Sequence, residues 1–488
     1  MQPSSKRSGA AALLVGGAAF GAAFFVFLLE HSAIEAVNGW WQDELYAIYA
    51  SDPAERLSVV FLGRIWPDTT PPLYGLLLYA VRAVIHGDRW AVFTLNTGAI
   101  LAAVGVVALS GWRAGLAQLA LAASIAFVLS GPVVRFASEA RPYALAMAVA
   151  FVAAWLSALA IQAPHARPRN IAFALVGVVG ALTHIYAALL CGSFAVALIA
   201  LAVFWRRSDL IAAGLTLGLC ASFVFVIWVA LWLPSASLER LYWMKFSYET
   251  VIAALWEAKQ LAIGPHLLAA LAALLAFGLF WPATRMLTLA FCIAFAVFFV
   301  LPLIVSFRQP IIFGRYWLQG APAVVVLLAF LAKAWLVAHT GRSSRLVPIT
   351  GALASIGLLA ISDAAGFTTA RAFTAAKPAW IGAAVVGPLV RDCPAASVHV
   401  NGFVPFFAYA ARAPDAVFAD IRSPNTPPTG AANIACPVLG WAEEPHPADF
   451  MHWATDGDLM GLMKIEASPT EVDIRRHATG FVILRRGG

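Results

Sequence analysis

Apolar runs long enough to cross a membrane recur through the first three-quarters of this chain, and they constrain the fold more than any other feature. They cover roughly residues 10–30, 90–110, 114–132, 142–161, 170–185, 186–205, 209–233, 263–281, 285–306, 316–338 and 346–362, about eleven in all. About twenty apolar helical residues span the hydrocarbon core, where every backbone N–H and C=O must be paired inside the protein. A chain patterned in this way folds as a polytopic all-α membrane protein. Composition agrees, because 61% hydrophobic residues against 12% charged, with a mean hydropathy of +0.82, lie outside the range of soluble domains.

The basic residues set the expected orientation. Lys6 and Arg7 precede "SGAAALLVGGAAFGAAFFVFLL", a run longer than a signal-peptide core and followed by no convincing Ala-x-Ala site. It reads as a retained anchor with its start in the cytoplasm. Arg113, "HARPRN" (165–170), Arg206-Arg207, Arg285 and "GRSSR" (341–345) then fall in cytoplasmic loops, as the positive-inside rule requires. The segment "PPLYGLLLYAVRAVIHG" (71–87) is apolar but short, and counting it as a span would invert those loops. It reads as an interfacial helix within one large outer loop, 31–89. The formal charge of +7 and pI near 9.3 do not point to nucleic acid, since no run of five basic residues occurs.

Beyond residue 362 the sequence becomes ordinary and polar. Alternating stretches such as "SVHVNGF" (397–403) and "GFVILRR" (480–486) predict strands. The expected organisation is a membrane domain over 1–362 and a small soluble α/β domain over 363–488 on the outer side of the membrane. Cys393 and Cys436 are candidate disulfide partners there, whereas Cys191, Cys220 and Cys292 lie in spans as small packing residues.

On the outer side, "NGWWQDELYAIY" (38–49) places the acids Asp43 and Glu44 among aromatics. "FASEARPYALAM" (136–147) and "IIFGRYWLQGAP" (311–322) each set an Arg at the mouth of a span, beside a Tyr. Guanidinium is suited to holding phosphate bidentately. Acids and arginines together suit displacement at a sugar phosphate, which needs a base for the incoming hydroxyl and cations for the departing phosphate.

The order of Asp-Glu in the first outer loop, "PPLY" (71–74), "EARPYAL" (139–145), "LTHIYAALL" (182–190) and "GRYWLQGAP" (314–322) resembles the GT-C membrane glycosyltransferases. It is most similar to the bacterial branch of protein O-mannosyltransferases and the lipid A aminoarabinose transferase, over roughly residues 10–340. The resemblance implies a polyprenyl-phosphate sugar donor used on the non-cytoplasmic face, transfer with inversion to a glycan, lipid or protein acceptor, and contact with membrane lipids. It makes Asp43 the candidate base, with Glu44 as its neighbour and possible substitute at the catalytic position, and Arg141, Arg315 and Tyr316 the donor-phosphate residues. Asp68, Thr70, Tyr74, Glu139, Tyr143, His184, Tyr186 and Lys245 then belong to the substrate cavity. The chain departs from that family where "DTT" (68–70), with no His or Lys, precedes the two prolines.

Some relatives bind a divalent ion near here, which makes His184 and Asp68 the candidate ligands, although no compact ligand motif appears. The plainer alternative for His184 is a hydrogen-bonded packing residue. The loop 234–263 holds Trp243, Phe246, Tyr248 and Trp256, either interfacial anchors or a lid from which Lys245 reaches the donor. A lipid or glycolipid flippase remains the alternative function. It would place charges within spans and show an internal repeat, and neither is evident.

Overall fold

The computed structural model describes residues 4–68, 70–163, 170–232, 248–262, 275–306, 314–340, 368, 371–372, 382–413, 415–426, 428–430, 436–443, 454–477 and 480–486. The chain divides into two compact units. One is Met1–Ala36 with Pro53–Ala372, and the other is Val37–Asp52 with Phe373–Gly488.

The first unit is helical: α1 (Ser4–Val37) leads out of it, and α2 (Gln42–Ala50) lies in the second unit. The first unit resumes with α3 (Leu57–Val60), a π turn over Phe61–Ile65, α4 (Leu73–Arg82), α5 (Asp88–Arg113), α6 (Ala117–Val128) and α7 (Gly131–Ala137). Next come α8 (Tyr143–Gln162), α9 (Asn170–Thr183), α10 (Ile185–Phe204), α11 (Asp209–Trp232) and α12 (Tyr248–Ala262). It closes with α13 (Pro282–Ser306), α14 (Gly314–Trp317) and α15 (Ala321–Thr340).

Among the described residues, seven helical stretches are long and apolar enough to cross a membrane: Gly16–Ala36, Asp88–Arg113, Tyr143–Gln162, Ile185–Phe204, Asp209–Leu231, Pro282–Ser306 and Gly314–Ala338. The pair α6 and α7, bent by 59°, adds an eighth if it is one broken span. That break falls where it should, with Ser130 extended and Pro132 in the first turn of α7, a position that needs no backbone donor. Of the remaining apolar runs in the sequence, 170–185 becomes the short helix α9, and 346–362 and most of 263–281 lie outside the described residues. Helix α4 is short, as expected for a segment that does not span, and its Arg82 pairs with Asp88 at 2.7 Å.

Helix α8 is buried from Tyr143 to Ile161 and forms the centre of the bundle. Small residues let its neighbours approach closely: a Cβ at Gly177 of α9 would sit 2.8 Å from the Leu217 carbonyl oxygen of α11. In the same way, one at Gly214 of α11 would sit 3.0 Å from the Ala195 carbonyl oxygen of α10.

The second unit is α/β. It contains α16 (Gly382–Leu389), β1 (Val398–Val400), α17 (Val404–Ala411), β2 (Phe418–Asp420), β3 (Thr429–Gly430) and β4 (Val438–Glu443). It ends with α18 (Asp456–Leu462), β5 (Ile465–Glu466), β6 (Val472–His477) and β7 (Gly480–Arg485). The main sheet has the order β2-β1-β4-β7-β6, parallel among β2, β1 and β4 and antiparallel from β4 onward, while β3 and β5 pair separately. Both sheet faces are covered. Val438 and Trp441 join one apolar layer with Val482 and Leu484, whereas Leu439 and Ala442 join the other with Phe481 and Ile483. A strict period of two would put 438 and 440 on one face, and the register shift between Val438 and Gly440 moves the partner to Trp441. Cys393 and Cys436 are joined by a disulfide, with their Cα atoms 4.9 Å apart.

Helix α2 completes this unit by packing against α17. The Tyr46 ring meets Phe406 edge-on at 6.0 Å, Tyr49 meets Phe403 at 5.0 Å, and the Tyr409 hydroxyl donates to Asp52 Oδ2 at 2.9 Å.

Candidate active site

Three chain junctions of the first unit bring their polar residues together. One is the turn 138–142 between α7 and α8, which carries Glu139 and Arg141 and leads into Tyr143. Another is His184, the non-helical residue between α9 and α10. The last is α14 with the turn Leu318–Gly320 that opens α15, carrying Arg315, Tyr316 and Gln319.

Aromatic rings hold these junctions to one another. The imidazole of His184 lies edge-on to Tyr143 at 5.7 Å and to Tyr316 at 5.1 Å, with Tyr186 tilted at 6.0 Å. Tyr316 in turn lies 5.1 Å from Tyr186 and 6.2 Å from Tyr143. The Arg141 guanidinium stands 5.9 Å from the centre of the Tyr143 ring, and Arg315 stands 5.7 Å from that of Tyr316. Such faces favour cations, so two positive groups sit on the tyrosine cluster that surrounds one histidine.

His184 caps α10 in an unusual way. Its Nδ1 accepts the backbone N–H of Tyr186 at 3.1 Å, a task that Ser, Thr, Asp or Asn more often performs. Nδ1 is therefore unprotonated, and the ring's hydrogen resides on Nε2. The Gln319 side-chain nitrogen lies 3.0 Å from the same Nδ1 and, facing a lone pair, donates to it. The positive end of α10 also disfavours an imidazolium there. With two donors directed at Nδ1, His184 is the neutral Nε2–H tautomer.

The turn carrying Arg141 is fastened from α5. Asn96, fully buried, donates through its side-chain nitrogen to the carbonyl oxygens of Ala137 (2.9 Å) and Glu139 (2.8 Å). The Tyr74 hydroxyl reaches the Glu139 carbonyl oxygen at 3.5 Å. The Glu139 carboxylate faces Arg135 at 3.6 Å, both side chains being nearly inaccessible.

No known protein-family model matches the chain, and no curated protein matches it by sequence. Among solved structures, it is similar to ArnT from Cupriavidus metallidurans bound to undecaprenyl phosphate, with a TM-score of 0.57 and 14% identity over 95% of this chain and 97% of that one. The apo structure of the same ArnT gives a TM-score of 0.56 and 13% identity over 95% and 96%. The chain has the GT-C fold of ArnT.

In this ArnT-like fold, the site residues expected from the sequence fall into three groups. Arg141, Tyr143, His184, Tyr186, Arg315 and Tyr316 meet as described, and Tyr74 and Glu139 lie beside them through the 138–142 turn. Asp68 and Thr70 are half-buried in the turn before α4. Asp43 and Glu44 lie in the first turn of α2, in the second unit. There the buried Glu44 carboxylate accepts the Trp41 backbone N–H at 3.4 Å and caps its own helix. Lys245 lies outside the described residues.

Among the described residues, no group of three or more His, Cys, Asp or Glu could hold a metal ion. For His184, the Nδ1 atom is already engaged. Two residues of the ArnT-like core escaped sequence reading. Gln319 follows Arg315 by four positions, a spacing that puts both on one side of a helical turn. Asn96 is a polar residue inside an apolar run, which in a membrane segment is itself a signal.

Proposed function

We propose that this chain is an integral membrane glycosyltransferase. It transfers a sugar, with inversion, from a polyprenyl-phosphate-linked donor to the hydroxyl of a glycan, lipid or protein acceptor on the extracytoplasmic face of a bacterial inner membrane. The observation that carries the reading is the convergence of Arg141 and Arg315 on one tyrosine and histidine cluster, in a fold shared with an ArnT that binds undecaprenyl phosphate. Two guanidiniums on a largely buried cluster suit a phosphate that gains charge as its bond to the sugar breaks.

In the proposed step the acceptor oxygen attacks the anomeric carbon as the bond from that carbon to the phosphate oxygen breaks. Polyprenyl phosphate departs with the electron pair, and the acceptor proton passes to a carboxylate. Asp43 is the proposed base, because its neighbour Glu44 is committed to the start of α2. Arg141 and Arg315 hold the departing phosphate, with Tyr316 against it.

The test is turnover of a panel of polyprenyl-phosphate sugars by the purified full chain with membrane-extract acceptors, for wild type and Asp43→Asn. Transfer by the wild type that collapses in a folded Asp43→Asn variant supports the proposal. Equal rates in both would move the base elsewhere. Movement of the lipid across vesicles, with no sugar transferred from any donor, would replace the reading with that of a transporter.

A further inference from the structure

We propose that His184 presents a fixed, neutral Nε2–H to the phosphate of the lipid ligand, and that Gln319 is the positioning residue that fixes the direction of the ring. The inference rests on the polyprenyl-phosphate reading and adds to it a neutral donor and the group that sets it. A backbone N–H can only donate, so the 3.1 Å contact from Tyr186 makes Nδ1 an acceptor. This in turn fixes the orientation of the Gln319 amide, whose oxygen would otherwise face a lone pair across 3.0 Å.

Gln319 is fully buried, and its Oε1 has no hydrogen-bond partner among the described residues. A buried amide left half satisfied calls for an explanation, and directing its nitrogen at His184 supplies one. The groups facing the imidazole come from every junction around it. Arg141 and Tyr143 come from the α7–α8 side, Tyr186 from α10, and Arg315, Tyr316 and Gln319 from the α14–α15 side. All the charges in that set are positive, so a third cation would be repelled, while a neutral N–H adds a directed hydrogen bond without that cost. A phosphate oxygen is an acceptor only, and an Nε2–H of fixed direction complements two guanidiniums by geometry.

The full chain in lipid nanodiscs is titrated with farnesyl phosphate as wild type, His184→Ala, His184→Gln, Gln319→Leu and the double variant His184→Ala/Gln319→Leu. In parallel, the histidine ring nitrogens are observed by 15N NMR, with His184→Gln assigning the signal. The wild type is expected to bind with His184 in the Nε2–H form. His184→Ala should weaken binding by about tenfold to a hundredfold, the range for a hydrogen bond to a charged group. His184→Gln, which can offer a side-chain N–H near the Nε2 position, should recover part of it.

Gln319→Leu should leave the tautomer, which the Tyr186 N–H sets, unchanged but loosen the ring and weaken binding severalfold, yet add nothing in the His184→Ala background, since a positioning residue acts through the group it positions. Additive losses in the double variant, an Nδ1–H form in the wild type, or wild-type affinity in His184→Ala would each overturn the proposal and leave the lipid-phosphate reading intact. Absence of farnesyl phosphate binding by the wild type would overturn both.

Discussion

Replacing Asn96 with leucine keeps the side chain's approximate volume and removes the two hydrogen bonds it donates, to the carbonyls of Ala137 and Glu139. Side-chain bonds in membrane interiors average about 0.6 kcal/mol and reach about 1.7 kcal/mol, while stranding a buried carbonyl in a soluble core costs about 1–3 kcal/mol. The upper part of the membrane range applies here, because both acceptors lie where α7 ends and helical partners run out. The pair is therefore worth about 2–3 kcal/mol. The Tyr74 hydroxyl, at 3.5 Å from the Glu139 oxygen, is too distant to compensate, and Tyr74→Phe should cost well under 1 kcal/mol. Because the freed turn carries Arg141, Asn96→Leu should also weaken farnesyl phosphate binding by tenfold or more. Thermal unfolding of the full chain in detergent and titration with that ligand measure the two effects. Asn96→Leu protein that melts lower but binds as tightly as wild type would refute the argument that this amide positions Arg141. Equal damage from Tyr74→Phe would refute the ranking of the contacts.

Arg315→Lys keeps the cation but loses the planar fork, so farnesyl phosphate should bind about tenfold more weakly, and Arg315→Ala should be weaker still; equal affinity for Lys and wild type would mean that charge alone matters. The Cys393–Cys436 bridge, with a sequence separation of 43, should contribute about 4 kcal/mol by restricting the unfolded chain. Cys436→Ser in the full chain should then be cleaved faster by protease within the C-terminal unit, and unchanged cleavage would contradict this. Burial lowers the pKa of both His399 and His477; at His399 Lys464 adds to the shift and the Met463 carbonyl opposes it. The unfolded unit gains these protons near pH 6.5 and the folded one only below that. Stability present above about pH 6.5 is therefore lost as pH falls, and protection from protease should be lower at pH 5.5 than at pH 7.5.

Much of the fold was legible because hydrocarbon imposes a simple demand on sequence, namely long apolar helices, and a C-terminal α/β unit announces itself where that demand stops, although nothing in the sequence says that this unit also takes in Val37–Asp52. The cluster around His184 was legible for a related reason. Charged residues at the ends of spans are conspicuous, so Arg141 and Arg315 stood out although more than 170 positions separate them. What remained hidden depends on distance and direction. Nothing in "QDELYAIY" says that Glu44 turns back to its own helix start, or that the aromatic face of α2 belongs with Phe403 and Phe406. Asn96 and Gln319 were overlooked because neutral amides carry no charge to flag them, and their roles appear only when carbonyls and a ring nitrogen are found opposite. The pairing of Cys393 with Cys436 likewise required a separation that sequence does not contain.

The second unit is assembled from two stretches far apart in the chain: α2 is made before most of the membrane helices, and its partner α17 only after them. At ordinary rates of about 5–20 residues per second, the ribosome needs roughly twenty to seventy seconds to travel from residue 52 to residue 404. For that interval Tyr46 and Tyr49 have no covering helix, and the helix that carries Asp43 waits without its scaffold. A chain interrupted anywhere in the long stretch between them would leave that helix permanently unsheltered, so prematurely ended molecules should be marked for proteolysis at this first loop.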